Sequence, residues 1–115
     1  MNLIIRTLAL VFTLLAGTSV LASTHTGKIK KLYVRASDGL VYFNLDTSAP
    51  NDKPACATKS YWMIKDENSE AGKKQYSMIL AAHAAGREIT VSGTGECTRW
   101  GDGEDVDSIV MLPNE

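Results

Sequence analysis

The fold turns on one stretch, "CATKSYWMIKDENSEAGKKQYSMILAAHAAGREITVSG", residues 56–93. Its two ends are rich in aromatic and β-branched residues and its middle is not. "CATKSYWMI" (56–64) reads as a strand, and "REITVSG" (87–93) as another, with Ile89 and Val91 on one side. Between them, residues 65–86 switch to helical spacing. Asn68 or Ser69 can cap the start, Glu70 suits the positive N-terminal end, and Gly86 supplies the stop. Tyr76, Ile79, Leu80 and His83 are spaced to share one face, His83 as a packing residue, while Lys73 and Lys74 turn to water.

Outward from this unit the pattern is entirely β. "KIKKLYVRA" (28–36) alternates around Ile29, Leu32 and Val34 with one break in phase, as a bulged strand does. "SDG" (37–39) is a turn and "LVYFNLD" (40–46) a second strand, so the two form a hairpin. "TSAPNDKPA" (47–55) is a polar loop, and "DVDSIVML" (105–112) a last strand. The order β-β-β-α-β-β, mostly β with one helix, predicts a five-stranded Greek-key OB-fold barrel. Closure would remove the exposed edges that a short sheet otherwise carries. A flat α+β sandwich with the same order is the alternative.

The N-terminus reads as an export leader. "MNLIIR" carries Arg6, "TLALVFTLLAG" is a charge-free run, and "TSVLAS" ends in small residues, with Val20 and Ala22 suited to signal peptidase. Cleavage is expected after Ala22, leaving residues 23–115 as a single exported domain, periplasmic or secreted; an uncleaved membrane anchor is the other reading. Removing 22 of 115 residues leaves 93. Only Arg6 of the 12 basic residues goes with them, so 11 bases face 13 acids and the balance is −2. A weakly acidic chain speaks against nucleic acid. After cleavage no membrane partner is expected. Cys56 and Cys97 remain; in an oxidising compartment one disulfide is the economical reading, with free thiols or a metal pair as alternatives.

No catalytic constellation is visible, and an enzyme is not expected. His25 stands near the expected new N-terminus, and nothing matches a nucleophile elbow, a zinc-protease helix or a phosphate loop. In "GECTRWGDGEDVDSIV" (95–110), Asp102, Glu104, Asp105 and Asp107 resemble a calcium loop, but the glycine comes too early and no distal glutamate follows. Solvated acids at the entry of the last strand are expected, with a cation site as the alternative; no metal or cofactor is assigned. Aromatic residues carry the stronger functional signal: Tyr33, Tyr42, Tyr61, Trp62 and Trp100. Neighbours on a strand point to opposite faces, so of Tyr61 and Trp62 one enters the core and the other faces out, as with Tyr42 and Phe43.

The mature chain resembles the binding subunits of pertussis-like bacterial toxins, such as those of subtilase cytotoxin and typhoid toxin, and small exported Gram-negative proteins sharing their domain. The resemblance runs over residues 27–112: "IKKLYVRASDGLVYFNL" as first hairpin, "ACATKSYWM" with its cysteine, a helix ending in "AAGREITV", and a late cysteine. It implies an OB-fold, a ring of five subunits joined through strand edges, and recognition of sialylated glycans through a serine near the start of the first strand. Aligned on Leu32, that place holds His25 within "STHT" (23–26), and the family's further cysteines are missing, so none of its site residues is carried over.

The function expected is therefore a non-enzymatic binding module for a glycan or a protein surface, toxin-subunit-like. Trp100, Tyr61 and Trp62 are the stacking candidates, and Asn44 and Asp105 the polar groups that orient the ligand. The other reading is a ring-forming homo-oligomeric subunit, or an exported OB-fold protein without glycan binding.

Overall fold

The computed structural model describes residues 22–114; the expected leader, Ala22 aside, lies outside them. The elements are β1 (Thr24–Val34), β2 (Val41–Leu45), β3 (Trp62–Ile64), α1 (Glu70–Ala85), β4 (Glu88–Gly93) and β5 (Glu104–Met111). The five strands close in a ring, β1-β2-β3-β5-β4 and back to β1. All pairings are antiparallel except β3 with β5, which is parallel; α1 and β4 separate these two strands in the chain.

β1 makes closure possible by serving two neighbours. Its first half, Thr24–Lys28, pairs with β4; its second, Ile29–Val34, pairs with β2. The change of partner falls at a register shift between Ile29 and Lys31, where the sequence breaks phase. β1 starts four residues before the expected boundary. Residues 23–29 do alternate, but the inward positions are Ser23, His25, Gly27 and Ile29, of which only the last is apolar.

β3 is shorter than expected. Only Trp62–Ile64 is strand, and residues 56–61 belong to a loop; the three strand residues are wholly buried, with β2 on one side and β5 on the other. Inside the ring pack Ile29, Val41, Phe43, Leu45, Trp62, Ile64, Ile89, Val91 and Val106, with Ile79 and Ala82 contributed by the helix.

The helix begins and ends as its sequence dictates. The Ser69 hydroxyl accepts from Gly72 N at 3.0 Å, and Gly86 adopts the left-handed conformation (φ 63°) that closes the C-terminus. Its buried face is different from the one expected: Gly72, Ile79 and Ala82 face in, with Tyr76 half-buried, while His83 is exposed and Leu80 is 43% exposed. Gly72 sets this rotation. A Cβ there would overlap the Asp66 carbonyl, so the bare backbone approaches the preceding loop and turns its side of the helix inward.

Cys56 and Cys97 form a disulfide with Cα atoms 6.1 Å apart. It joins the β2–β3 loop to the β4–β5 loop, rather than the ends of two strands, and Lys59 N donates to Asp102 O (3.0 Å) across the same seam. Replacing both cysteines by serine removes a constraint spanning 41 residues. By loop entropy that costs about 3–4 kcal/mol. Urea unfolding of the double variant checks this figure, and a loss below about 1 kcal/mol would mean the unfolded chain is already compact.

Candidate functional site

On the outer face of β1 to β3, four rings form one continuous cluster. Tyr33 stacks on Tyr42 (4.4 Å, 7°), Tyr42 meets Tyr61 and Trp100 edge-on (5.3 and 5.4 Å), and Tyr61 lies nearly parallel to Trp100 (5.3 Å, 12°). Strand alternation puts the first three here. Tyr33 and Tyr42 are paired across β1 and β2, and Tyr61 precedes Trp62, whose ring takes the inward direction. Trp100 comes from the β4–β5 loop. Asn44 lies on β2 beside this face and donates to Ser60 Oγ at 3.3 Å.

Charged groups hold the loops around the rings. The Arg35 guanidinium sits 4.6 Å over the Trp100 ring and forms a two-point pair with Asp38 (2.9 and 2.7 Å). Arg99 reaches the other way, to Glu67 (2.6 Å) and to Asp38 (3.3 Å). One guanidinium thus links the loops β1–β2, β3–α1 and β4–β5. Arg35 holds the Asp38 carboxyl well below the usual carboxylate range, and Glu67 raises Arg99. Burial, then the hydrogen bond to Asp102, pushes the Tyr61 phenol up, so this hydroxyl stays protonated and donates to Asp102.

The acid-rich turn separates into different environments. Asp102 turns to Tyr61; Asp105 accepts from Thr98 N (3.0 Å), Thr98 Oγ1 and Arg99 N (3.1 Å); Glu104 enters the interior; and Asp107 is exposed. The expectation of solvated acids is therefore corrected for Glu104 and Asp105, both without exposed surface. Asp105 is used up in shaping the β4–β5 loop. The carboxylates diverge, and among the described residues no group of three His, Cys, Asp or Glu side chains is placed to hold a metal ion.

Trp62 also leaves the surface. It is 0% exposed and donates from Nε1 to His25 Nδ1 (3.0 Å), so its ring serves the core and offers no face to a ligand. With Nδ1 accepting, the neutral His25 ring carries its proton on Nε2, toward Thr47 Oγ1 at 2.9 Å; Thr47 in turn donates to Thr26 O (2.6 Å). Lys53 closes this end, its ammonium 4.2 Å over the Trp62 ring.

Of the five ligand candidates, Trp100, Tyr61 and Asn44 come together on the outer face, while Trp62 and Asp105 are enclosed. Tyr33, Tyr42 and Arg35 complete that face and were not singled out as site residues. The available signal was parity: Tyr33 and Tyr42 flank the hairpin turn at positions that face outward if Phe43 faces in. Two shallow clefts lie elsewhere, one beside Arg87 and Leu112, the other beside Gly72 and Asp107. Comparison of the chain with family models, with characterised proteins and with solved structures gave no match.

Burial, assisted by the Lys53 charge, lowers the His25 pKa from 6.5, against the opposing influence of the Thr47 and Ser48 backbone and of Asp46. The unfolded chain then binds a proton more readily, so stability is full above about pH 6.5 and falls as the pH drops below it. Melting curves between pH 8 and pH 5 should show this decline, and His25→Gln should lose stability at pH 8 but decline less on acidification. Parallel profiles for the two proteins would assign the acid sensitivity elsewhere.

Proposed function

We propose that this chain is an exported, non-enzymatic binding module of OB-fold type, and that its ligand, a glycan or a protein surface, docks on the Tyr33–Tyr42–Tyr61–Trp100 face. One observation carries the reading: four aromatic rings form a single patch outside the core, ordered by stacking and by an ion network. The strand ring β1-β2-β3-β5-β4 has the order of a Greek-key OB barrel. In that fold, ligands take the face of strands two and three and the loops β1–β2 and β4–β5. Here those places hold Tyr42, Tyr61, Arg35 and Trp100.

Export is supported by the disulfide, which hints at an oxidising compartment; no helix among the described residues is long and apolar enough to cross a membrane. A binding role without catalysis is supported by His25, whose two ring nitrogens are both engaged internally. The same enclosure argues against the sialic-acid pocket of the pertussis-like family, since the aligned position presents no hydroxyl to solvent. Within the cluster, Trp100 is engaged by Tyr61 and Arg35, whereas Tyr33 is 37% exposed. Tyr33 is thus the ring most open to a flat apolar sugar or side-chain face, with Arg35 and Asn44 as neighbouring donors.

Glycan arrays and pull-downs from host-cell extracts supply the ligand, and titration then compares variants. Tyr33→Ala should weaken binding about tenfold, in line with loss of one well-placed aromatic contact. Its melting point should move by only a few degrees. Undiminished binding by both Tyr33→Ala and Trp100→Ala would remove this face from the function.

The assembly reading has one observation of its own. Beyond Lys28, β1 pairs with β2 alone, and its end carries Val34, 58% exposed. Light scattering separates the two: the binding module needs only a single chain in solution, and a ring of several would transfer β1 to a subunit contact.

A further inference from the structure

The chain passes from solvent to interior at one peptide bond. Ala22 is exposed and Ser23 has no exposed surface. Ser23 O accepts from Gly93 N (2.9 Å), which extends the β1–β4 ladder one step past the Thr24–Ser92 pair. The Ser23 hydroxyl donates to Glu104 Oε1, and Ser23 N lies 3.4 Å from Glu104 Oε2, which also accepts from Gly95 N at 3.0 Å. Space for this carboxylate exists because residue 93 is glycine; a Cβ there would overlap the Glu104 carboxylate and the Trp62 ring.

Glu104 has no exposed surface, and burying a charge is costly unless it is paired and hydrogen-bonded. Lys53 is near enough to feel Glu104, but its ammonium stands over the Trp62 ring and has no hydrogen-bond partner among the described residues. The ion pairs among the described residues do not include Glu104. Among the described residues, the one nitrogen placed against the carboxylate that can gain a charge is Ser23 N. It belongs to the bond that the leader sequence marks for cleavage.

We propose that Glu104 is a receptor for the chain's own α-ammonium group, created at Ser23 when the leader is removed. The inference rests on the export reading above. Hydrolysis of the Ala22–Ser23 bond by a signal peptidase consumes one water. Its hydroxyl goes to the Ala22 carbonyl carbon, and its proton to Ser23 N, which takes a second proton from solvent at neutral pH. Cleavage occurs while the chain is being exported, before β1 is built in. The ammonium then enters the fold with β1 and replaces a long amide contact by a charge-assisted one. Processing and folding become coupled: the cleaved chain carries a buried ion pair that the uncleaved chain lacks.

The full 115-residue chain, exported with its own leader from a Gram-negative host, tests this. Intact mass should correspond to residues 23–115; a different start would overturn the proposal while leaving the aromatic face untouched. A second variant inserts one glycine between Ala22 and Ser23, so that cleavage leaves Ser23 N as an amide. Its melting midpoint should fall by roughly 5–15 °C, the range set by loss of one charged hydrogen bond in a domain of this size. Glu104→Gln should lower the midpoint of the native-start protein far more than that of the glycine-start protein. Equal midpoints for the two starts, or an equal effect of Glu104→Gln in both, would overturn the ion pair, since a merely steric effect of the added glycine would be additive.

Discussion

An indole with no exposed surface must still place its N–H, and in this molecule that requirement organises one whole end of the sheet. Trp62 sits on the shortest strand, shared by β2 and β5, where the ring of strands is narrowest in sequence terms. Its Nε1 needs an acceptor, because a buried unsatisfied donor costs about 1–3 kcal/mol. His25 supplies it, which obliges β1 to run inward as far as Thr24 and fixes the imidazole tautomer. Thr47 then satisfies the other ring nitrogen and anchors the start of the β2–β3 loop. Gly93 leaves room for the ring, and Lys53 covers it. Four distant positions are thereby fixed by one side chain.

The acid-rich turn shows how closure distributes charge. β5 must begin beside β3 and end beside β4, so successive residues at its start point alternately into and out of the ring. Glu104 goes in and meets the N-terminal end of β1. Asp105 goes out, yet remains buried, because the β4–β5 loop folds over it and donates two backbone amides. Asp102, before the strand, reaches the aromatic face. Adjacent carboxylates thus serve a buried end, a loop and a surface, an arrangement incompatible with convergence on a single cation.

Much of the strand and helix order was legible, because it depends on local chemistry. The hairpin follows from "SDG" between two β-rich runs, the helix from Ser69, Glu70 and Gly86, and the bulge from the phase break at Lys30. What escaped depended on contacts between distant residues. The early start of β1 is hidden because Ser23, His25 and Gly27 are inward-facing without being apolar. Their warrant is Glu104, Trp62 and Thr47, far along the chain. The helix face was misjudged because apolar spacing favoured Leu80 and His83, whereas the close approach of Gly72 to Asp66 sets the rotation. At the candidate site, strand parity correctly demanded that Tyr61 and Trp62 diverge but could not say which went in. Trp62 is the one inside, where its Nε1 finds His25, a partner far away in the chain.

The two ends of this small molecule therefore answer to different physical demands. The Trp62 end is enclosed, and each polar group there is explained by another polar group or by the ring. The aromatic end is open, and hydrophobic burial alone does not explain it: Tyr33, Tyr42, Tyr61 and Trp100 lie outside the buried core. Their order comes from stacking, from Arg35 and Arg99, and from the disulfide seam that ties the flanking loops. Holding side chains and loops in place before a ligand arrives reduces the entropy lost on binding, about 0.5–1.5 kcal/mol for each side chain that would otherwise be ordered at that moment. A surface whose rings are already fixed by neighbours, and whose most open member is a tyrosine with few rotatable bonds, is suited to engage a flat partner with little further ordering. The loops carry this arrangement, and the closed sheet beneath them supplies the rigidity that makes it possible.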